Sequence, residues 1–132
     1  MEQIVYLNGA LLPRSQAQIS PFDLGFLYGY GLFETMRAYS GRIFRLDRHL
    51  ERLSQSAKLL GIPLTAFDLK KACRDTLKAN KLDNARIRLS VSIGEGEAVP
   101  DPPKRPRPTV LVIAARYTPL SDETYRKGYK AV

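Results

Sequence analysis

The spacing of apolar residues along the chain predicts several short strands and two central helices. Along 85–93 apolar and polar residues alternate, as expected where one sheet face packs on a core, and 32–39 also has two distinct faces; 109–117 is almost continuously apolar, as expected of a central buried strand. The turns Asn8-Gly9 and Ser40-Gly41 are of the kind that joins adjacent antiparallel strands. The predicted strands are residues 4–7, 10–12, 32–39, 42–45, 85–93, 109–117 and the beginning of one at 129–132.

The first central helix has an apolar stripe with spacings of three and four residues, followed by Gly61 and Pro63 as stop signals. The stripe consists of Leu46, Leu50, Leu53, Ala57 and Leu60. A second helix is expected from Thr65, with Asp68 completing a capping box, to about Asn80. A short helix is expected over 121–128 and a tight turn over 22–30. These elements indicate one α+β domain, residues 1–132, with a mostly antiparallel sheet packed by two central helices.

Charge and composition narrow the classes of function. Lysine and arginine outnumber aspartate and glutamate by 21 to 13, which favours either an anionic partner or a solvated basic surface. The longest apolar run, 110–115, is far shorter than the roughly 20 residues of a membrane span. Cys73 is the single cysteine and cannot form an internal disulfide, which fits the cytoplasm. His49 has no partner at ligand spacing, so no metal site is predicted and a structural role is favoured.

Arginines are the candidate binding residues. Arg52 lies beside the apolar stripe of the first helix, where its guanidinium can reach a cleft and bind two oxygens of a phosphate or carboxylate. Arg86 and Arg88 lie on one face of their strand, about 6–7 Å apart. Two cations this close repel unless an anion or an acidic neighbour lies between them. The alternative is an exposed edge face with solvated arginines.

Three stretches of the sequence resemble one enzyme family. The segment 23–37, DLGFLYGYGLFETMR, is similar to the GxxxGxGxFETxR stretch of class IV aminotransferases. This family includes branched-chain and D-amino-acid aminotransferases and 4-amino-4-deoxychorismate lyase. The segment 41–53, GRIFRLDRHLERL, resembles the family's first helix, and 86–94 resembles a family strand that precedes a glycine-containing loop. The motifs occur in the family's order over essentially the whole chain.

The resemblance implies a fold and a cofactor. It identifies residues 1–132 as the amino-terminal small domain of a fold-type IV enzyme that uses pyridoxal 5'-phosphate (PLP). Arg52 matches the arginine that binds the cofactor phosphate in the family. Tyr28 and Phe33 match positions near the substrate pocket, and Arg37, on the same strand as Phe33, is a further candidate for substrate binding. Arg86 and Arg88 match strand positions close to the substrate. The loop 94–108 corresponds to one that reaches a neighbouring active site in a homodimer.

The resemblance also implies a lysine that forms a Schiff base with PLP. No lysine of this chain has the expected K-x-x-N-Y context. We therefore expect the catalytic lysine beyond Val132, in a second domain, and no transamination by residues 1–132 alone. The implied substrates are an amino acid, of branched-chain or D-amino-acid type, and a 2-oxo acid.

Three alternatives to an aminotransferase remain. Aminodeoxychorismate lyase uses the same fold and cofactor. A basic nucleic-acid-binding module would explain the charge, although aromatic and basic residues are not interleaved as RNA recognition requires. A domain of this family without catalysis could serve interaction or regulation.

Overall fold

The computed structural model describes residues 2–97, 103–118 and 121–128. Its centre is a six-stranded sheet with the strand order β2-β1-β6-β5-β3-β4, and all pairings between neighbouring strands are antiparallel. The strands are β1 (Ile4–Leu7), β2 (Ala10–Pro13), β3 (Gly31–Tyr39), β4 (Arg42–Ile43), β5 (Ala85–Ser92) and β6 (Thr109–Arg116). The helices are α1 (Leu24–Tyr28), α2 (Leu46–Leu60), α3 (Leu69–Ala79) and α4 (Asp122–Lys127). The α+β fold is confirmed.

Helices α2 and α3 cover one face of the sheet and form the main core with it. Alternation along β5 decides which residues take part, because Ile87 and Leu89 are fully buried while Arg86 and Arg88 are exposed. Leu53 on α2 and Cys73 on α3 are buried against this face. On the opposite face of β3 and β5 the short helix α1 packs against the end of β5, and the exposed side chains Phe33, Arg86 and Arg88 are available for binding.

Helix α2 has the predicted bounds. It begins at Leu46, and Asp47 in the first turn suits the positive end of the helix dipole. Its end is fixed by Gly61, which has φ of +72° and donates its N–H to the carbonyl of Ala57. Strand β4 is shorter than the predicted 42–45, because Arg45 already has a left-handed φ of +54° as the residue that caps the helix.

The predicted start of α3 at Thr65 is wrong. The helix begins at Leu69, and the side chain of Asp68 accepts a hydrogen bond from the backbone N–H of Lys71 at 3.0 Å. Asp68 is therefore the N-cap itself and not the third residue of a capping box. Asp68 is a capping residue as predicted, but the helix that it caps begins one turn later than predicted.

Segment 22–30 is also different from the prediction. A tight turn was expected, and the chain instead forms the short helix α1. Asp23 caps its first turn by accepting from the N–H of Gly25 at 2.8 Å, and Gly29 ends it with φ of +69°. Strand β5 ends one residue earlier than predicted, β6 ends at Arg116, and α4 follows a Ser121 cap as expected. The predicted strand at 129–132 and part of the 94–108 loop lie outside the described residues.

Candidate functional site

A buried carboxylate joins β3 to α2. Glu34 points from β3 toward the helices, where His49 and Arg52 lie one turn apart on α2. Arg52 donates from Nη2 to Oε1 of Glu34 at 2.6 Å and from Nε to Oε1 and Oε2 at 3.1 and 3.2 Å. Nδ1 of His49 lies 2.7 Å from the same Oε1. The three side chains form one hydrogen-bonded cluster, which we call the Glu34 cluster.

The Glu34 cluster fixes a charged guanidinium in a defined orientation. Burial raises the pKa of Glu34, but hydrogen bonds and charges from Arg52 and His49 outweigh burial, and the pKa is lowered overall. The hydrogen bond and charge of Glu34 in turn raise the pKa of Arg52. Glu34 is 7% exposed, whereas the side chain of Arg52 is 69% exposed. One edge of the guanidinium is thus held by the carboxylate, and its outer N–H groups can bind a phosphate or a carboxylate.

The other face of the sheet carries a cavity of about 640 Å³, which we call the large cavity to distinguish it from a smaller one of about 250 Å³ on the same face. Phe33 on β3 and Arg88 on β5 line it, and the Arg88 guanidinium lies 4.0 Å from the centre of the Phe33 ring. This stacking holds a cation over an apolar surface. Most of the remaining lining comes from α1, from the residues before it, and from the facing ends of β5 and β6. The cavity therefore combines apolar walls with one fixed positive charge, as small-molecule sites commonly do.

Asp23 is buried at the wall of this cavity and connects three segments of the chain. Besides Gly25 of α1, its carboxylate accepts hydrogen bonds from the hydroxyl of Ser92 at 2.7 Å and from that of Thr109 at 2.5 Å. These two residues are at the end of β5 and the start of β6. Asp23 was not predicted as a functional residue. The available signal was an aspartate directly before a short apolar segment, the usual place of an N-cap.

Arg37 and Arg86 lie directly opposite each other on β3 and β5. The guanidinium carbon of Arg37 is 3.1 Å from the ring centre of Tyr117 and 5.0 Å from that of Tyr39, so cation–π contacts with these rings stabilise its charge. Nε of Arg37 is buried without a hydrogen-bond partner in the part of the chain that the structure describes. Arg86 lines a smaller cavity of about 250 Å³ together with Arg88.

The predicted site residues fall into separate groups. Phe33, Arg37, Arg86 and Arg88 share the open face of the sheet, while Arg52 lies on the helix face and outside the lining of the large cavity. Tyr28, the last residue of α1, is exposed and also outside that lining. The alternative of solvated arginines on an exposed edge face is wrong about the edge, because β5 lies between β3 and β6, although both Arg86 and Arg88 are exposed.

His49 has a defined structural contact in the Glu34 cluster. Among residues 2–97, 103–118 and 121–128 there is no group of three or more His, Cys, Asp or Glu side chains that could hold a metal ion. The same residues include no helix that is long and apolar enough to cross a membrane.

Comparison with known proteins gives the family. The family model "Amino-transferase class IV" matches residues 31–132. A putative branched-chain-amino-acid aminotransferase of Methanocaldococcus jannaschii is 44% identical over 121 residues, covering 90% of this chain and 42% of the relative. The aminodeoxychorismate lyase of Bacillus subtilis is 37% identical, covering 95% of this chain and 44% of the relative.

The fold is shared with solved structures. The branched-chain aminotransferase of Escherichia coli superposes with a TM-score of 0.81 at 27% identity, over 89% of this chain and 40% of that one. The 4-amino-4-deoxychorismate lyase of Pseudomonas aeruginosa has a TM-score of 0.77 at 26% identity, over 94% of this chain and 44% of that one. The chain thus spans less than half the length of these proteins. On the sequence match and the shared fold together, this chain belongs to the class IV aminotransferase family.

Proposed function

We propose that the chain is the amino-terminal part of a PLP-dependent aminotransferase that moves an amino group between an amino acid and a 2-oxo acid. The observation that carries the proposal is Arg52, an exposed guanidinium oriented by a buried carboxylate. A phosphate held there would accept hydrogen bonds from the outer N–H groups without competing with Glu34. The residues present therefore fit a phosphorylated cofactor.

The proposed site has residues that would bind the cofactor phosphate and other residues that would contact the substrate. PLP, when bound, supplies an electron sink for bonds to the amino acid α-carbon. Arg52 binds its phosphate, and Glu34 and His49 keep Arg52 in place. On the open face, Phe33 offers apolar surface to a substrate side chain and Arg88 attracts a carboxylate. Arg37, Arg86 and Tyr28 are proposed to border the substrate, as the sequence motifs implied.

The catalytic lysine is proposed to lie outside residues 1–132. No lysine of the described residues lines the large cavity on the open face, and Lys58, Lys70 and Lys78 line cavities elsewhere in the fold. The relatives are more than twice as long as the matched region. On this proposal a second domain supplies the lysine, and residues 1–132 alone do not transaminate.

Binding of the cofactor tests the proposal directly. In the full-length protein, PLP binding is followed by its absorbance change for the wild type and for Arg52→Gln. Loss of a charge-assisted hydrogen-bonded contact of about 1.5–3 kcal/mol predicts an affinity about 10–100-fold weaker. Arg48→Gln removes an exposed arginine from the same helix and is the matched control. Equal affinities for all three proteins would refute the role of Arg52.

The second candidate is aminodeoxychorismate lyase, favoured by the 37% identity to the Bacillus subtilis enzyme. The two activities differ in their products. Amino transfer consumes a 2-oxo acid in proportion to the amino acid, whereas the lyase releases pyruvate and 4-aminobenzoate from aminodeoxychorismate. Incubating the full-length protein with each substrate set separates them. Absence of both activities in a PLP-loaded protein would instead support a non-catalytic interaction domain.

The proposed enzyme is a homodimer in the cytoplasm. Phe22 and Phe26 beside the large cavity are 61% and 77% exposed, an apolar surface that a second subunit or domain would cover. Light scattering of the full-length protein would show twice the monomer mass. A monomer at micromolar concentration would contradict the dimer and leave the cofactor proposal intact.

A further inference from the structure

A second concentration of positive charge lies between the β3–β4 hairpin and α3. A cavity of about 450 Å³ there is lined by the cationic residues Arg42, Arg74 and Lys78. Its apolar lining comes from Ile43, Leu46 and Leu77. None of the three cations forms an ion pair within 4 Å with any residue that the structure describes. The cavity is separate from Arg52 and from the open face of the sheet.

The backbone that presents these cations is well fixed. Ser40 and Gly41 have φ of +51° and +80°, which gives the tight turn of the hairpin. The N–H of Gly41 donates to the carbonyl of Asp83 at 2.9 Å, and Arg42 is paired with Tyr39 across the strands. Arg42 is therefore held at the rim by a short, doubly anchored hairpin.

The charges on α3 add to that of Arg42. Arg74 and Lys78 are one helical turn apart, and like charges at this spacing destabilise a helix. Asp47 and Asp83 are in the neighbourhood, but neither lines the cavity. Asp47 is hydrogen-bonded to Lys70 at 2.7 Å, and its pKa is lowered mainly by Lys70 and to a smaller extent by the charge of Arg74, so it offsets the charge of Arg74 only in part. The repulsion among Arg42, Arg74 and Lys78 would be relieved by an anion in the cavity.

We propose that this cavity binds the phosphate group of a small phosphate ester. Two guanidinium groups and one ammonium supply enough donors for the phosphate oxygens, and guanidinium forks match phosphate geometry. Leu46 and Leu77 give the organic part of the ester an apolar surface. The volume lies in the range of small-molecule sites. The site does not depend on the function proposed above, because it contains none of those residues.

The test uses inorganic phosphate and phenyl phosphate as probes, titrated calorimetrically into the PLP-saturated full-length protein at constant ionic strength. The triple variant Arg42→Gln, Arg74→Gln, Lys78→Gln removes the cations. The control variant Arg14→Gln, Arg126→Gln, Lys58→Gln removes the same number and kinds of charge from exposed positions outside the cavity.

We expect saturable binding that is at least about tenfold weaker in the triple variant and within about twofold of wild type in the control. Phenyl phosphate is expected to bind more tightly than inorganic phosphate because its ring packs on the leucines. No saturable binding by the wild type would overturn the proposal, as would equal weakening in both variants, which indicates net charge alone. If the triple variant is poorly folded, Arg74→Gln alone is compared with Arg126→Gln under the same criteria.

Discussion

Replacing Glu34 by glutamine tests the physical basis of the Glu34 cluster. Glutamine has nearly the same shape but carries no charge, and its amide NH₂ would face the N–H donors of Arg52 or His49. Breaking a fully buried ion pair costs about 3–5 kcal/mol, and an exposed pair is worth about 0–1 kcal/mol. Arg52 is largely exposed while Glu34 is buried, so we expect an intermediate loss of about 2–3 kcal/mol in the free energy of unfolding at pH 7.

The lowered pKa of Glu34 determines how its contribution to the free energy of unfolding changes with pH. The pKa of Glu34 is lowered in the folded protein below its usual value of 4.5. Its contribution is therefore fully present above about pH 4.5 and is lost as the pH falls through the folded pKa. Urea unfolding of wild type and Glu34→Gln from pH 7 to pH 3 should show a stability difference that shrinks on acidification.

The matched control is Glu51→Gln, an exposed glutamate on α2, the helix that carries His49 and Arg52; it should change stability by less than about 0.5 kcal/mol. A difference for Glu34→Gln below about 0.5 kcal/mol at pH 7 would refute the reasoning. A loss that is equally large at pH 7 and pH 3 would also refute it, because a packing defect and not the carboxylate charge would then be responsible.

Three further predictions concern the backbone at Gly94, the thiol of Cys73 and the hydrogen bonds of Asp23. Gly94→Ala should lower the free energy of unfolding in urea by more than about 3 kcal/mol, because a Cβ there would lie 1.9 Å from the carbonyl oxygen of Arg107. The control is Gly9→Ala, which also has a positive φ but open space around it and should cost only about 1–2 kcal/mol. Cys73 is fully buried and burial raises its pKa to about 12, so a thiol reagent at pH 8 should label it only after unfolding; rapid labelling of the native protein would contradict this. Asp23→Ala should cost about 2–4 kcal/mol in urea unfolding, since it leaves buried donors without an acceptor, and a loss below 1 kcal/mol would contradict it.

Local patterns were enough to predict most of the elements. The period of two in 85–93 and the spacing of three and four in 46–60 each reflect a single buried face, so the sequence alone shows them. Errors arose where one side chain decides the local structure. Asp68 and Asp23 each accept a backbone N–H and thereby set where a helix begins, and short-range composition does not reveal which N–H a carboxylate takes.

The sequence names candidate members of the site, which stay predictions, and it does not give their geometry. Arg52 is a candidate anion-binding residue from its place on the helix, whereas its carboxylate partner is 18 positions away in the sequence. Asp23 was missed because two of its partners, Ser92 and Thr109, lie 69 and 86 positions away in the sequence. Contacts of this kind depend on strand order, which periodicity does not determine.

The register of β3 separates two residues, Phe33 and Glu34, to which the proposed function gives different roles. Phe33 and Glu34 are neighbours in sequence, yet β3 sends Phe33 to the open face and Glu34 to the helices. Because side chains alternate with a period of two, a shift by one residue would exchange their faces. Arg52 would then lose its carboxylate, and the cavity would gain a negative charge opposite Arg88. The eight-residue pairing of β3 with β5 prevents such a shift, so the core residues of these strands determine indirectly where an anion can bind.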